Sequence, residues 1–134
     1  MQYTPKIRQG EIYWIDNFPA LDGQHAKRRP VIVLGHVDAS DHLSPVLVVG
    51  ISHTASTSER DLDKIQLPDL QQTPTAKTGL DRASWALPRW ALIIEVIHFQ
   101  KPVGHVKGEL LRRIVRATLQ RRTRANDAPG TNLN

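Results

Sequence analysis

The chain has 134 residues, no cysteine and a formal net charge of +5, with a pI near 10.0. That length suits one domain with its own apolar core, and the missing cysteines exclude disulfides and thiolate metal sites. The basic balance fits an acidic partner such as nucleic acid or an acidic protein, or serves solubility alone. The longest apolar stretches, Pro45 to Ile51 and Ala91 to Ile97, are much shorter than the roughly 20 residues of a membrane span. The opening MQYTPKIRQG carries no apolar signal segment. A soluble, cytoplasmic protein without membrane association is expected.

In chain order, Gly10 opens a first strand over Glu11 to Asp16. Ile12, Trp14 and Phe18 are expected on one face, with Glu11, Tyr13 and Asp16 on the other or at its end. Asn17 to Gly23 contains Pro19 and the turn pair Asp22-Gly23, so a mobile loop carrying Gln24, His25, Lys27 and Arg28 should follow. The second strand, Pro30 to Leu34, starts with a proline, which is tolerated at a strand's first residue. Three cations, Lys27, Arg28 and Arg29, therefore abut a rigid strand. A basic loop anchored in this way can hold guanidinium groups in fixed positions, as phosphate recognition and catalysis require.

A third strand spans Pro45 to Ser52, where Gly50 signals a bulge or a close backbone approach. His53 to Arg60 reads as a loop too polar to pack, and Asp63 to Leu67 as a short alternating fourth strand. The Gln/Thr/Pro-rich stretch Pro68 to Thr78 is a further loop. Leu80 to Ala86 and Arg89 to Phe99 form a strand pair or one long bent strand broken at Pro88. Gly104 then starts a new connection.

Residues 107–122 are the one convincing helix. Leu110, Leu111, Ile114, Val115, Thr118 and Leu119 make an apolar stripe, Arg112, Arg113 and Arg116 occupy the remaining face, and Glu109 sits in the first turn. Residues 123–134 are expected to be disordered, leaving 1–122 as a single domain. Short strands, polar turns and one terminal helix predict a mainly β fold, a small antiparallel barrel or curled sheet capped by a C-terminal helix.

No P-loop, dinucleotide fingerprint, nucleophile elbow or HExxH pair is present, and the six histidines are scattered singly, so neither metal nor cofactor is expected. The basic cluster is more informative. Metal-free RNA cleavage needs attack of the ribose 2′-hydroxyl on its phosphate, stabilisation of the pentavalent oxyanion, and proton transfer at both oxygens. Arginine suits the oxyanion because its planar fork binds two phosphate oxygens and stays charged. Arg29 is the best placed candidate; Lys27 and Arg28 serve equally well as phosphate contacts or as a solvated basic loop. Ser52 ends the third strand beside His53 and Thr54, and offers a hydroxyl if that strand neighbours the second. Trp14, Trp85 and Trp90 could stack on single-stranded bases, although tryptophans in so small a domain more often fill a core.

Gly10-Glu11-Ile12-Tyr13-Trp14-Ile15-Asp16, Asp22-Gly23-Gln24, Lys27-Arg28-Arg29-Pro30-Val31-Ile32-Val33-Leu34 and Val48-Val49-Gly50-Ile51-Ser52 resemble the successive signature blocks of the MazF/PemK family of type II toxin endoribonucleases. The resemblance runs over roughly residues 9 to 120. It implies an SH3-like barrel of the MazF/PemK/CcdB type with a C-terminal helix, and a homodimer whose groove binds single-stranded RNA. It also implies metal-independent cleavage to a 2′,3′-cyclic phosphate, and a cognate antitoxin bound through an acidic disordered segment. The family arginine falls on Arg29 and the family threonine on Ser52. His25, which stands near the loop acid of relatives, or Arg28 is the candidate proton carrier. Gln24, Lys27, Arg28, His53, Thr54 and Arg89 are the expected RNA contacts. The family's strand acid is replaced at Ala86-Leu87-Pro88-Arg89, where only the basic position is kept. A barrel of this fold that inhibits a protein target such as gyrase, or binds RNA without cutting it, is the alternative.

Overall fold

A computed structural model describes residues 6–21, 23 and 25–127, and the side chains of these as far as residue 123. Its core is one curled, six-stranded antiparallel sheet: β1 (Glu11–Pro19), β2 (Ala26–His36), β3 (Val46–Ser52), β4 (Ile65–Leu67), β5 (Ser84–Ile94) and β6 (Gly104–His105). The strands lie in the order β4-β5-β3-β2-β1-β6. A single helix, α1 (Gly108–Asp127), follows. The helix continues past the expected end at Arg122, and residues 128–134 lie outside the described part. No helix among the described residues is long and apolar enough to cross a membrane.

Both faces of the central strands are buried, which explains their near-continuous apolar runs. One face carries Tyr13, Ile15, Phe18, Val31, Val33, Val46, Val48 and Trp90, closed over by Phe99 and Leu87. The other carries Ile12, Ile32, Val49, Ile51, Ile65 and Leu67, and receives α1 through Ile114 with Leu110, Leu111 and Val115 packed beside it. Each face buries whole aliphatic side chains, worth roughly 1.5–3 kcal/mol apiece.

Several expectations are corrected. Tyr13 is buried with Ile15 and Phe18, and Trp14 is only half-buried. For Phe18 the cause is a bulge: Asn17 has φ 56°, and the β1–β2 register shifts between Ile15 and Phe18, moving Phe18 to the Tyr13 side. β2 begins at Ala26, so Lys27, Arg28 and Arg29 lie on the strand itself. The turn is shorter than expected, closed by the bond from Ala20 N–H to the His25 carbonyl at 3.0 Å, with Gly23 at φ 73°. Pro30 pairs with Trp14 on β1, while β3 pairing starts only at Val31. A proline is tolerated there because one side of the strand is unpaired.

The stretch from Leu80 to Phe99 contains one long strand, β5. β3 advances from Val49 to Ile51 while β5 passes from Ala86 to Ala91, so Leu87, Pro88, Arg89 and Trp90 leave the ladder. Proline, which cannot donate to the ladder, sits inside this bulge. The segment after β3 also packs, contrary to its polarity. Glu59–Asp61 forms a 3₁₀ turn capped by Ser58, and Asp61 is buried.

Candidate functional site

The bulged end of the sheet holds Arg29 and, near it, Ser52 and Thr54. Arg29 pairs with Ile15 across β1–β2 and is half-buried. Its guanidinium carbon lies 5.1 Å from the Trp90 ring centroid. Trp90 is itself fixed: its Nε1–H donates to the Pro19 carbonyl at 2.9 Å, and its ring lies 5.3 Å from that of Phe18. The ring also presses on the backbone of Gly50, where any Cβ would stand 2.4 Å from it. The glycine thus marks a close approach of ring to backbone, one of the two options its position suggested. Arg29 Nε is buried and has no hydrogen-bond partner. A desolvated, charged donor without an acceptor is costly, and an oxyanion would satisfy it.

Continuing the β2–β3 register from Val31–Gly50 by two residues sets Arg29 across from Ser52. The Ser52 hydroxyl is occupied locally: it donates to the Thr54 carbonyl at 2.8 Å and accepts from the Thr54 N–H at 3.1 Å. Its proton must leave that turn before it can be given to a phosphate. Thr54 is exposed at the same strand end.

On the opposite face, Arg28 lies 5.6 Å over the Trp14 ring and pairs with Asp16 at 3.6 Å. Both partners of that pair are about two-thirds exposed, so the bridge adds little stability and leaves Arg28 free to exchange partners. Lys27 is exposed beside it. His53 lies 6.2 Å from Trp14, and its Nδ1 contacts Ser84 Oγ at 3.1 Å. Burial, then the charge of Arg82, holds His53 below the usual imidazole value of 6.5; Lys27 adds to this, while the Ala83 carbonyl and Asp81 oppose it. His53 is therefore neutral near pH 7.

The remaining candidates are placed apart. His25 is exposed in the hairpin turn, four residues before Arg29, which is roughly 13 Å along an extended strand. Gln24 lies outside the described residues. Arg89 is turned toward the buried Asp61 in a two-pronged pair, Nε–Oδ1 3.0 Å and Nη2–Oδ2 3.0 Å, with Ser56 Oγ donating to the same carboxylate at 2.6 Å. That pairing holds the Asp61 carboxyl below its ordinary 3.8, the Arg89 hydrogen bond first and Ser56 next, against the cost of burial. Ala86, at the position of the family's strand acid, is fully buried between Ile51 and Ile65. Among the described residues no three His, Cys, Asp or Glu side chains gather into a metal-binding group.

Sequence reasoning missed Trp90 as the support of Arg29 and Asp61 as the partner of Arg89. Gly50 was the one available signal for the first. Nothing in Asp61-Leu62-Asp63 distinguishes the second.

A family model described as PemK-like, MazF-like toxin of type II toxin-antitoxin system matches residues 8–121. A search of curated proteins returns no match. Among solved structures, MazF (Form-I) from Deinococcus radiodurans superposes with a TM-score of 0.62 at 14% identity, over 91% of this chain and 99% of that one. The Mycobacterium tuberculosis toxin MazF-mt6 gives 0.58 at 20% identity, over 82% and 93%. An endoribonuclease from Mycobacterial species gives 0.60 at 13%, over 89% and 93%. These identities establish a common fold, and the family match establishes kinship. The chain belongs to the PemK-like, MazF-like toxins of type II toxin–antitoxin systems.

Proposed function

We propose that the protein is an endoribonuclease toxin that cuts single-stranded RNA by attack of the ribose 2′-hydroxyl, leaving a 2′,3′-cyclic phosphate without a metal. The observation that carries this reading is Arg29: a guanidinium clamped against Trp90, with a buried Nε–H that has no acceptor. In the transition state two negative oxygens of the phosphorane meet that fork, and a donor already oriented needs no reorganisation as charge develops. Ser52 donates a hydrogen bond to a phosphate oxygen once the Thr54 turn opens. Lys27, Arg28 and Thr54 position the backbone, and their contribution weakens with salt.

The proton carrier is assigned to His25, which requires the hairpin turn to fold toward Arg29. Arg89 is the least suited of the expected RNA contacts, since Asp61 already occupies its fork. The acting form is taken to be a cytoplasmic homodimer, silenced by an antitoxin with an acidic disordered segment. Solved complexes titled MazE-MazF from Deinococcus radiodurans share the fold and support such a partner.

The test is cleavage of a long single-stranded RNA in EDTA. The wild-type chain should cut it, and Arg29→Ala, folded by circular dichroism, should lose at least about a hundredfold in rate. Undiminished cleavage by the variant removes Arg29 from the chemistry. A second reading, RNA binding without cleavage, is favoured by the buried Ala86 and by the committed Ser52 proton. It predicts salt-sensitive binding and no product.

A further inference from the structure

Trp14, Arg28 and His53 meet on the face of the sheet opposite Arg29. Trp14 joins the other two: the Arg28 guanidinium lies 5.6 Å over its ring and the His53 ring 6.2 Å from it. Alternation along a strand sends Arg29 to the Trp90 side and Arg28 to the Trp14 side, as their ring contacts show. His53 cannot take a proton at a phosphate held by Arg29, because the sheet stands between them. A nucleotide, however, holds its base and its phosphate well apart on the ribose. β2 beyond its pairing with β3 is a strand edge that one nucleotide can straddle.

The hydrogen bonds fix which nitrogen of His53 bears the proton. Ser84 has one hydroxyl proton and donates it to the Arg82 carbonyl at 2.8 Å. In its contact with His53 Nδ1 at 3.1 Å, Ser84 must therefore accept, so Nδ1 carries the hydrogen. Nε2 keeps its lone pair, and that atom is buried without a partner. An acceptor already stripped of water lies beside a half-buried indole over which the exposed Arg28 guanidinium rests at 5.6 Å, and it lacks one thing: a flat ligand with an N–H edge.

We propose that Trp14 and His53 form a nucleobase-reading pocket, in which a base of the bound RNA displaces the Arg28 guanidinium, stacks on Trp14 and donates an N–H to His53 Nε2. Trp14 supplies affinity for any base, since every base has a π-face. His53 supplies discrimination, since a base that presents no N–H at that point leaves Nε2 unsatisfied. The displaced Arg28 moves to the neighbouring phosphate, exchanging its weak pair with Asp16 for a stronger one. The inference rests on the reading of this toxin as an RNA-binding protein.

The test uses the full chain and uncleavable 2′-O-methyl oligonucleotides rich in A, C, G or U, with affinities measured by fluorescence anisotropy at fixed salt. Wild type should bind one composition roughly tenfold more tightly than the poorest. His53→Phe should bring that ratio close to one while the weakest affinity is unchanged. His53→Gln, which can place an acceptor near the ε position, should restore part of it. Trp14→Leu should weaken every composition by roughly tenfold or more and leave their ranking intact. ¹⁵N NMR of the wild-type imidazoles requires no variant to fold: it should show the Nδ1–H form of His53, with Nε2 shifting when the preferred oligonucleotide is added. An Nε2–H form, or a base preference that survives His53→Phe, overturns the pocket. Loss of cleavage chemistry alone, with base-selective binding intact, overturns the nuclease reading and not this one.

Discussion

Arg29 and Trp90 are held as a unit, the guanidinium carbon 5.1 Å from the indole centroid and the indole bonded to the Pro19 carbonyl. Stacking of this kind is worth about 1–2 kcal/mol when desolvated, and it fixes the direction in which Arg29 offers its buried Nε–H. Trp90→Leu should therefore lower single-turnover RNA cleavage about tenfold or more. Trp90→Phe, which keeps an aromatic face, should retain most of the rate. Gly50→Ala should have a similar effect from below, because its Cβ would enter the indole. It should also cost about 1–3 kcal/mol in urea unfolding. Full activity in both Trp90→Leu and Gly50→Ala would detach Arg29 from its support.

The pair Arg89–Asp61 separates a structural cation from an RNA-binding one. Asp61 is 1% exposed and Arg89 25%, and removing one partner of so buried a pair costs about 3 kcal/mol. Arg89→Met should lower the urea midpoint accordingly while the dependence of RNA affinity on salt is unchanged. A fall of about one in the salt slope would instead return Arg89 to the phosphate contacts.

Asp61 also sets an acid limb for stability. Its folded value lies below 3.8, so the unfolded chain takes up the proton first as pH falls. The contribution is complete above 3.8 and is lost as pH drops through the lowered folded value. Urea unfolding between about pH 5 and pH 2 should show this loss. Asp61→Asn should be less stable near neutrality and flatter in that acid range.

His53 should titrate below 6.5 by NMR, chiefly because burial opposes its charged form. Here too the folded state disfavours the proton, so the contribution of His53 to stability is present above 6.5 and declines as pH falls below it. Arg82→Ala should raise the midpoint, since the Arg82 charge is the next cause of the depression. A midpoint at or above 6.5 in the wild type would contradict a neutral, accepting imidazole.

Local signals were legible where the backbone alone decides. Gly50 marked a close approach, Pro88 a break in the ladder, Ile65-Gln66-Leu67 an alternating strand, and the stripe through Ile114 a packed helix. The anchoring of Arg29 to the Pro30 strand was legible, though Arg29 lies on β2 and not in the loop before it. What stayed hidden depends on counts between strands. One extra residue near Asn17 turns Phe18 to the Tyr13 side of β1, and four residues bulged at Leu87 to Trp90 carry an indole onto Arg29 and a guanidinium onto Asp61. Pro88 signals the second break but not its length, and nothing local signals the first, because each mismatch is a difference in length between two paired segments.

The central claim is attack by a 2′-hydroxyl at a phosphate held by Arg29, and one substrate tests it. Once a cut site has been mapped in single-stranded RNA, the same oligonucleotide is made with a single 2′-deoxy nucleotide immediately 5′ of the scissile phosphate. In EDTA, the wild-type chain should cleave the all-ribose strand to a 2′,3′-cyclic end and leave the 2′-deoxy strand intact, although it binds both. Cleavage of the 2′-deoxy strand at the same bond would contradict it.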